Sequence, residues 1–303
     1  MLGEALSLNE KTMILGGGSN VLFRENFDGL VLKNEISGIE LIEDQDDYVI
    51  VKVGAGENWH AFVMHCINQG WAGLENLSLI PGSVGAAPMQ NIGAYGVEIK
   101  NNFLELEAFE IESGKTKKFG NQACEFGYRS SIFKTWAKGQ YIICSVSFKL
   151  SKQANLNTSY GAIEEELDRM GVRDPNIKDV SNAVINIRRS KLPDPNQIGN
   201  AGSFFKNPVV DAAFFTTLQK EHAEIPSYPA GEGQVKVPAG WLIQHAGWKG
   251  KRLGNYGVHE KQALVLVNYG GATGSQIFQL SADILQDVKD KFGIVLEREV
   301  NII

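Results

Sequence analysis

The run at residues 80–96, IPGSVGAAPMQNIGAYG, limits what this chain can fold into more than any other segment, because it combines four glycines, three alanines and two prolines without charge. Side chains this small leave peptide N–H groups uncovered, and several N–H groups facing one point form a concavity that binds phosphate oxygens. A second segment has the same character. Residues 11–15 read as a short buried strand that runs into Gly16, Gly17, Gly18, Ser19 and Asn20 before apolar residues resume at Val21. Two such loops suggest a dinucleotide, with a tight connection in a compact domain as the alternative for either loop alone. The pattern is not that of a Rossmann fold. The three glycines are consecutive, and Val21, Leu22 and Phe23 read as another strand instead of a helix opening on the phosphates.

With 303 residues the chain has room for two domains, each with its own core. A formal net charge of −6 argues against a broad footprint for nucleic acid. No apolar run is long enough to span a bilayer and Met1 is followed by no signal sequence, so the expected compartment is the cytoplasm. Cys66, Cys124 and Cys144 are odd in number and widely spaced, which favours buried free thiols over disulfides or metal ligands. His60, His65, His222, His245 and His259 show no metal-ligand spacing, and no serine and acid arrange around any of them, which disfavours hydrolysis by metal or triad. No metal site is expected.

Residues 47–54 read as a strand, followed by a helix carrying Trp59, Phe62, Val63, Cys66 and Ile67 on one face and stopping near Gly70. His60 and His65 share that helix and read as structural. Leu104, Leu106 and Ala108 alternate with acidic residues and lead into a hairpin turn at Ser113, Gly114 and Lys115. Ile142, Cys144, Val146, Phe148 and Leu150 alternate as a strand with one buried face. Two helical stretches follow, at 163–170 and 177–189, the second ended by Pro193 and Pro195. Beyond Asn207 we expect a helix after Asp211, another opening at Pro238, a strand at 263–267, a helix at 276–291 with Ile277, Ile284, Leu285 and Val288 in one stripe, and a final strand at 294–300. The expected domains are 1–152, a connecting pair of helices at 153–189, and 190–303. The class is α+β.

Four segments are over-equipped for structure alone: FGYRSSIFK (126–134), IRRSKLPD (187–194), GNAGSFFKNP (199–208) and LEREV (296–300). Arg129 can grip a carboxylate through two parallel hydrogen bonds, with a surface arginine as the alternative. Ser203, between Gly202 and Phe204, sits where a hydroxyl can stand exposed beside an apolar wall, although a lone serine is more often structural. Alternation in the last strand puts Glu297 and Glu299 opposite Ile294, Leu296 and Val300, and leaves open which glutamate faces a site.

In this order, and together with ILGGGSN, KVPAGWLIQHAGWKG and HEKQALVLVN, the segments closely resemble the UDP-N-acetylenolpyruvoylglucosamine reductases, flavoenzymes that make UDP-N-acetylmuramate for peptidoglycan. The resemblance runs over nearly the whole chain. It implies an FAD domain of the vanillyl-alcohol-oxidase (PCMH) type, two α+β subdomains with the first shortened at its start, followed by an α+β domain that binds the UDP-sugar. FAD, held without a covalent link, would lie on Gly16, Gly17, Gly18, Ser19 and Asn20 of the first loop. The second loop would add Pro81, Gly82, Ser83, Gly85, Ala86, Asn91, Gly93, Ala94, Tyr95 and Gly96. Carried over position by position, Arg129, Ser203 and Glu299 match the family's catalytic residues. Tyr160, in TSYGAI, looks like the substrate-loop tyrosine of the family's type I branch, and Lys191, Asn207 and Gln262 match residues that hold the substrate. The partners implied are UDP-N-acetylglucosamine enolpyruvate and NADPH.

Two other readings compete. A flavin oxidase of the same fold would need a base and often a histidine tether, and no histidine is expected near either glycine loop. A nucleotide-sugar-binding regulator without redox activity would lack flavin absorbance.

Overall fold

The alternation at 47–54 points Val49, Val51 and Val53 to one side, and the computed structural model, which describes residues 11–303, buries all three completely. They belong to the strand Tyr48–Gly54 of a five-stranded antiparallel sheet, in the order Ile39–Asp44, Tyr48–Gly54, Tyr141–Ser151, Phe103–Glu110, Thr116–Gly120. The helix Trp59–Asn68 lays Trp59, Phe62, Val63, Cys66 and Ile67 into the same core as Phe148. Trp59 satisfies its indole N–H on the Leu77 carbonyl at 3.0 Å. Burying each of these large side chains stabilises by about 1.5–3 kcal/mol. Expectations about the start of the chain, a shortened subdomain and no signal sequence, fall on residues 1–10 and lie outside the described residues.

Two expected faces change where the ladder slips. Between Phe103 and Glu105 the register against Tyr141–Ser151 shifts by one, so Phe103 turns inward and Leu104 is 38% exposed. A second shift, between Ile143 and Ser145, puts Ile143 into the core and leaves Cys144 only partly buried. A β-bulge adds one residue to one strand and reverses the facing on one side of it. Period-two reading does not see it.

The chain divides into two compact units. The first comprises residues up to Gly18 and Asp28–Ser190, the second Ser19–Phe27 and Lys191–Ile303. The helices Gly161–Arg169 and Ile177–Lys191, read from sequence as a connection, group with the first unit up to Ser190 and carry a core of their own in Ile163, Leu167, Val180, Ala183, Val184 and Ile187. Ser19–Phe27 groups with the second unit because Val21–Leu22 pairs in parallel with Asn301–Ile302.

The second unit has a four-stranded sheet, ordered Gly199–Ser203, Val265–Asn268, Tyr256–Val258, Arg252–Leu253, and a three-stranded sheet of short strands. The helix Gly274–Phe292 opens with a capping box between Thr273 and Gln276 and ends at Gly293, φ +67°, a conformation that glycine adopts without strain. Its buried stripe is Ile277, Leu280, Ile284, Val288 and Phe292. The expected strand at 294–300 is not a regular strand. Ile294, Leu296 and Val300 are buried, but among the described residues only one bridge, Phe205 with Arg298, pairs it.

Candidate active site

In the first unit the two glycine loops pack on each other. A Cβ built on Gly17 would lie 2.9 Å from Gly82 Cα, and one on Gly16 would lie 2.6 Å from Ser83 Oγ. Gly85 fits against Ala55, where a Cβ would stand 2.5 Å from that residue's own Cβ. These glycines are small so that protein can approach protein. Gly18 differs, since with φ +67° a Cβ there would meet nothing within 4 Å, and this is the open side of the loop.

The N–H groups of Val84, Gly85 and Ala86 donate to the carbonyls of Glu57, Ala55 and Ser83. The part of the cradle assigned to Gly85 and Ala86 is therefore already hydrogen-bonded. Bare backbone from two loops still meets at Gly16–Gly18 and Gly82–Ser83, and that surface fits a pyrophosphate. Asn91 is fully buried and engaged at both ends: Nδ2 donates to Glu98 Oε2 (2.9 Å) and the Gly127 carbonyl (3.1 Å), while Oδ1 accepts the Lys100 N–H.

The segment FGYRSSIFK lies along the second glycine loop. Ser131 Oγ donates to the Met89 carbonyl at 2.7 Å, Lys134 Nζ to Gln90 Oε1 at 3.1 Å, and Arg129 Nη2 to the Gly93 carbonyl at 2.6 Å. Gly127 and Ser130 exchange backbone hydrogen bonds around a tight turn that holds Arg129 in left-handed backbone, φ +51°. Among the described residues five non-glycines have positive φ, and all of them, Leu79, Asn91, Tyr95, Glu125 and Arg129, lie in these two segments or at their edge. Backbone strain of this kind, about 1–3 kcal/mol per residue, persists where the surroundings over-determine a conformation.

Tyr95 and Gly96 form the two-residue turn between Gly93–Ala94 and Val97–Glu98, both left-handed as such a hairpin requires. The Tyr95 ring meets Tyr160 edge-on with centroids 5.4 Å apart, and Tyr160 is 45% exposed just ahead of the helix Gly161–Arg169.

One sequence expectation is corrected. A histidine does stand beside the second loop: His60 Nδ1 accepts the Leu79 N–H at 3.0 Å. Burial, then the charges of Arg189 and Arg188, lowers its pKa below the ordinary value, so the ring is neutral and its proton sits on Nε2. A protonated Nε2 is no nucleophile for tethering a flavin.

In the second unit the strand Gly199–Ser203 slips by one residue against Val265–Asn268 at Gly202, φ +75°. That bulge ends the strand on an exposed Ser203, while Phe204 and Phe205 beside it are buried. Residues 204–206 run against 297–299, with the Glu299 N–H on the Phe204 carbonyl (2.8 Å) and the Lys206 N–H on the Glu297 carbonyl (2.9 Å). The residue that accepts the Glu299 N–H, Phe204, directly follows Ser203 in the chain. Lys206, three residues beyond Ser203 and a cation that could assist its hydroxyl, is held in an ion pair with Glu297 at 2.5 Å. Asn20, expected on the cofactor, donates through Nδ2 to the Glu299 carbonyl at 3.4 Å and accepts from Asn301, while the Ser19 carbonyl lies 4.0 Å from a Cβ built on Gly202.

Two expected substrate residues gather at the start of the helix Ala239–His245. Asn207 Oδ1 caps the Ala239 N–H at 2.9 Å, so its NH₂ is the end it offers a ligand, and Gln262 Oε1 stands 3.4 Å from a Cβ built on Gly240. Lys191 is exposed at the end of its helix. The sequence reading missed Asn76 and Arg188. Asn76 is buried and carries no motif, whereas Arg188 lies inside IRRSKLPD, from which only Lys191 was chosen.

Residues 194–303 match the family described as UDP-N-acetylenolpyruvoylglucosamine reductase, C-terminal domain, and residues 2–120 match the FAD binding domain family. The chain is 53% identical over 296 residues to the UDP-N-acetylenolpyruvoylglucosamine reductase of Flavobacterium johnsoniae, covering 97% of this chain and 88% of that protein. It is 51% identical over 300 residues to that of Chromobacterium violaceum, covering 99% and 88%. Among solved structures, the reductase of Thermus caldophilus superposes with a TM-score of 0.67 at 22% identity, covering 99% of this chain and 88% of that one. The 4-ethylphenol oxidase of Gulosibacter chungangensis superposes with a TM-score of 0.51 at 10% identity, covering 99% and 78%, a likeness of fold alone. The fold is thus the α+β, PCMH-type FAD-binding architecture followed by an α+β C-terminal domain. By identity sustained over almost its whole length, this chain belongs to the UDP-N-acetylenolpyruvoylglucosamine reductase family.

Proposed function

We infer that this chain reduces UDP-N-acetylglucosamine enolpyruvate to UDP-N-acetylmuramate for peptidoglycan synthesis, with FAD as its cofactor and NADPH as the hydride donor. The observation that carries this is identity above half to named reductases over nearly the full chain, joined to an FAD-binding domain. Bound FAD supplies hydride transfer, from NADPH to the enolpyruvyl double bond. The protein's own part is charge and a proton.

Hydride added to the terminal carbon of a double bond conjugated with a carboxylate drives negative charge onto that carboxylate. Arg129 is the group we assign to neutralise it, and its bond to Gly93 and its left-handed backbone support a preset guanidinium. Glu299, when protonated, donates a hydrogen bond to the same charge; ionised, it would repel it. Ser203 is the proton donor to the carbon beside the carboxylate, and its exposure at the bulge supports this role. A serine hydroxyl is a weak acid. With Lys206 committed to Glu297, ordered water is the better helper. Tyr160, Lys191, Asn207 and Gln262 are assigned to the substrate, and the reaction to the cytoplasm. Among the described residues no helix is long and apolar enough to cross a membrane.

Anaerobic NADPH should bleach the bound flavin, and the enolpyruvyl substrate should then restore its colour. Absence of flavin, or colour that the substrate does not restore, would overturn the reading in favour of a redox-inactive binder. Acid precipitation should release the flavin into solution.

A further inference from the structure

We propose that His60 is a positioning residue for FAD: through Nδ1 it holds Leu79, and with it the bight of residues 79–82, in the shape that presents the second glycine loop to the cofactor. The inference rests on the assignment of the pyrophosphate to Gly82 and Ser83. Both ends of the bight are tied to the start of the helix Trp59–Asn68. At the far end the Trp59 N–H donates to the Gly82 carbonyl at 3.0 Å, and Asn58 and Ser83 form a backbone bridge. At the near end the Leu79 N–H donates to His60 Nδ1 at 3.0 Å, while Arg188 Nε donates to the Leu79 carbonyl at 3.2 Å. The residues before it are fixed as well. Trp59 donates its indole N–H to the Leu77 carbonyl, and Ser78 Oγ shares a hydrogen bond with Ser181 Oγ at 2.8 Å.

Leu79 is where the chain turns. Its backbone is left-handed, φ +59°, a conformation that a non-glycine residue keeps only where its surroundings over-determine it. Between it and Gly82 stand only Ile80 and Pro81, and Pro81 is exposed and has no N–H to give. The course of the bight therefore depends on the Leu79 peptide, whose N–H is accepted by the lone pair of His60 Nδ1. A histidine offers that lone pair only while neutral. The imidazolium carries a donor on both nitrogens and must turn away. The charged groups that act on the ring are both cations, Arg189 and Arg188 of the helix Ile177–Lys191, and among the described residues no carboxylate offsets them. Burial first, and then these two charges, put the folded pKa below the ordinary 6.5, so the grip is intact at neutral pH and fails as pH falls through that lowered value. Acid loosens the cofactor through His60.

The test follows the release of flavin from the holoenzyme by its fluorescence, between about pH 7.5 and about pH 5, in the wild type, His60→Asn and His60→Leu. Asparagine sets Oδ1 where Nδ1 stood and takes up no proton, whereas leucine offers no acceptor. At neutral pH His60→Leu should release FAD roughly tenfold faster than the wild type, the worth of one hydrogen bond whose donor is left unpaired, and His60→Asn should stay within about twofold of the wild type. At the acid end the wild type should approach the leucine variant, while His60→Asn should hold its flavin as it does at neutrality. A histidine that merely fills space would give no acid step that asparagine removes. Equal release from the wild type and His60→Leu at neutral pH, or acid release undiminished in His60→Asn, would overturn the proposal. If His60→Leu fails to fold or retains no flavin, the pH comparison of the wild type with His60→Asn decides alone. Hydrogen exchange tests the site assignment separately: FAD should slow exchange at residues 79–83 in the wild type. No slowing would take the pyrophosphate off this loop, and the proposal with it, while the reductase reading stands.

Discussion

The two units hold their site residues by different means. In the first, Arg129 and Tyr95 sit on left-handed backbone clamped by hydrogen bonds to the neighbouring loop, and the glycines at 16, 17 and 85 touch protein where a Cβ would intrude. In the second, Ser203 and Glu299 lie on extended chain, and the one unusual conformation next to them is carried by a glycine, Gly202. A side chain in the first unit therefore has two jobs, to act and to hold its loop. Ser203 has one. Substitutions should separate chemistry from stability in the second unit and mix them in the first.

The largest effect sharpens that contrast. Ser203→Ala should lower turnover by about 10²–10⁴-fold, the usual contribution of a positioned acid, with flavin bound and the melting temperature unmoved. Ser203→Cys should recover part of the rate, because a thiol is the stronger acid. Near-normal turnover in the alanine variant would exclude Ser203 as the proton donor.

Next come the two groups assigned to the developing carboxylate charge. Arg129→Lys and Glu299→Gln should each slow flavin reoxidation by substrate by about 10²–10³-fold while affecting reduction by NADPH much less. The comparison predicts a difference between them: Arg129→Lys also loses the guanidinium hydrogen bond to the Gly93 carbonyl, so its melting temperature should fall further than that of Glu299→Gln. Equal thermal losses would break the distinction between the units.

The glycines give a smaller effect of a revealing kind. Gly85→Val should destabilise the fold by about 1–3 kcal/mol by overpacking against Ala55, whatever its effect on FAD. Gly18→Ala places a methyl on the open side of the loop, and should weaken FAD retention more than its strain of about 1–2 kcal/mol weakens the fold. Calorimetry of the FAD-free protein and titration with FAD separate the two quantities. Full FAD affinity in Gly18→Ala would move the cofactor away from this loop.

The smallest effect is in pH. His60 in the first unit and His259 in the second both have pKa values lowered chiefly by burial. Above the ordinary value of 6.5 each is neutral in folded and unfolded chains and contributes nothing to pH dependence. Below it the unfolded chain takes up a proton that the folded one resists, so stability falls as the solution is acidified. His60 faces two arginines, whereas Glu260 partly offsets the burial of His259. Melting curves between about pH 7.5 and 5.5 should therefore flatten more in His60→Gln than in His259→Gln. The reverse order would show that Arg188 and Arg189 do not act on His60.

Much of this molecule can be read from residues alone. The buried valines at 49, 51 and 53, the apolar stripes on Trp59–Asn68 and Gly274–Phe292, the hairpin at Gly114 and the family itself all follow from local pattern and motif order, because side-chain period and turn chemistry are properties of short segments. What the tertiary structure decided is who meets whom. The bulges that turn Leu104 and Cys144 away from their expected faces depend on the register of a neighbouring strand. The same holds for the N–H groups of Val84 to Ala86, which look bare in sequence but reach carbonyls brought by other segments, for Asn20 beside Glu299, and for Lys206 on Glu297. Composition states what a backbone or side chain can offer. Only folding determines whether that offer is already taken by the protein or kept for a ligand, since hydrogen bonds and close contacts form between segments far apart in the chain.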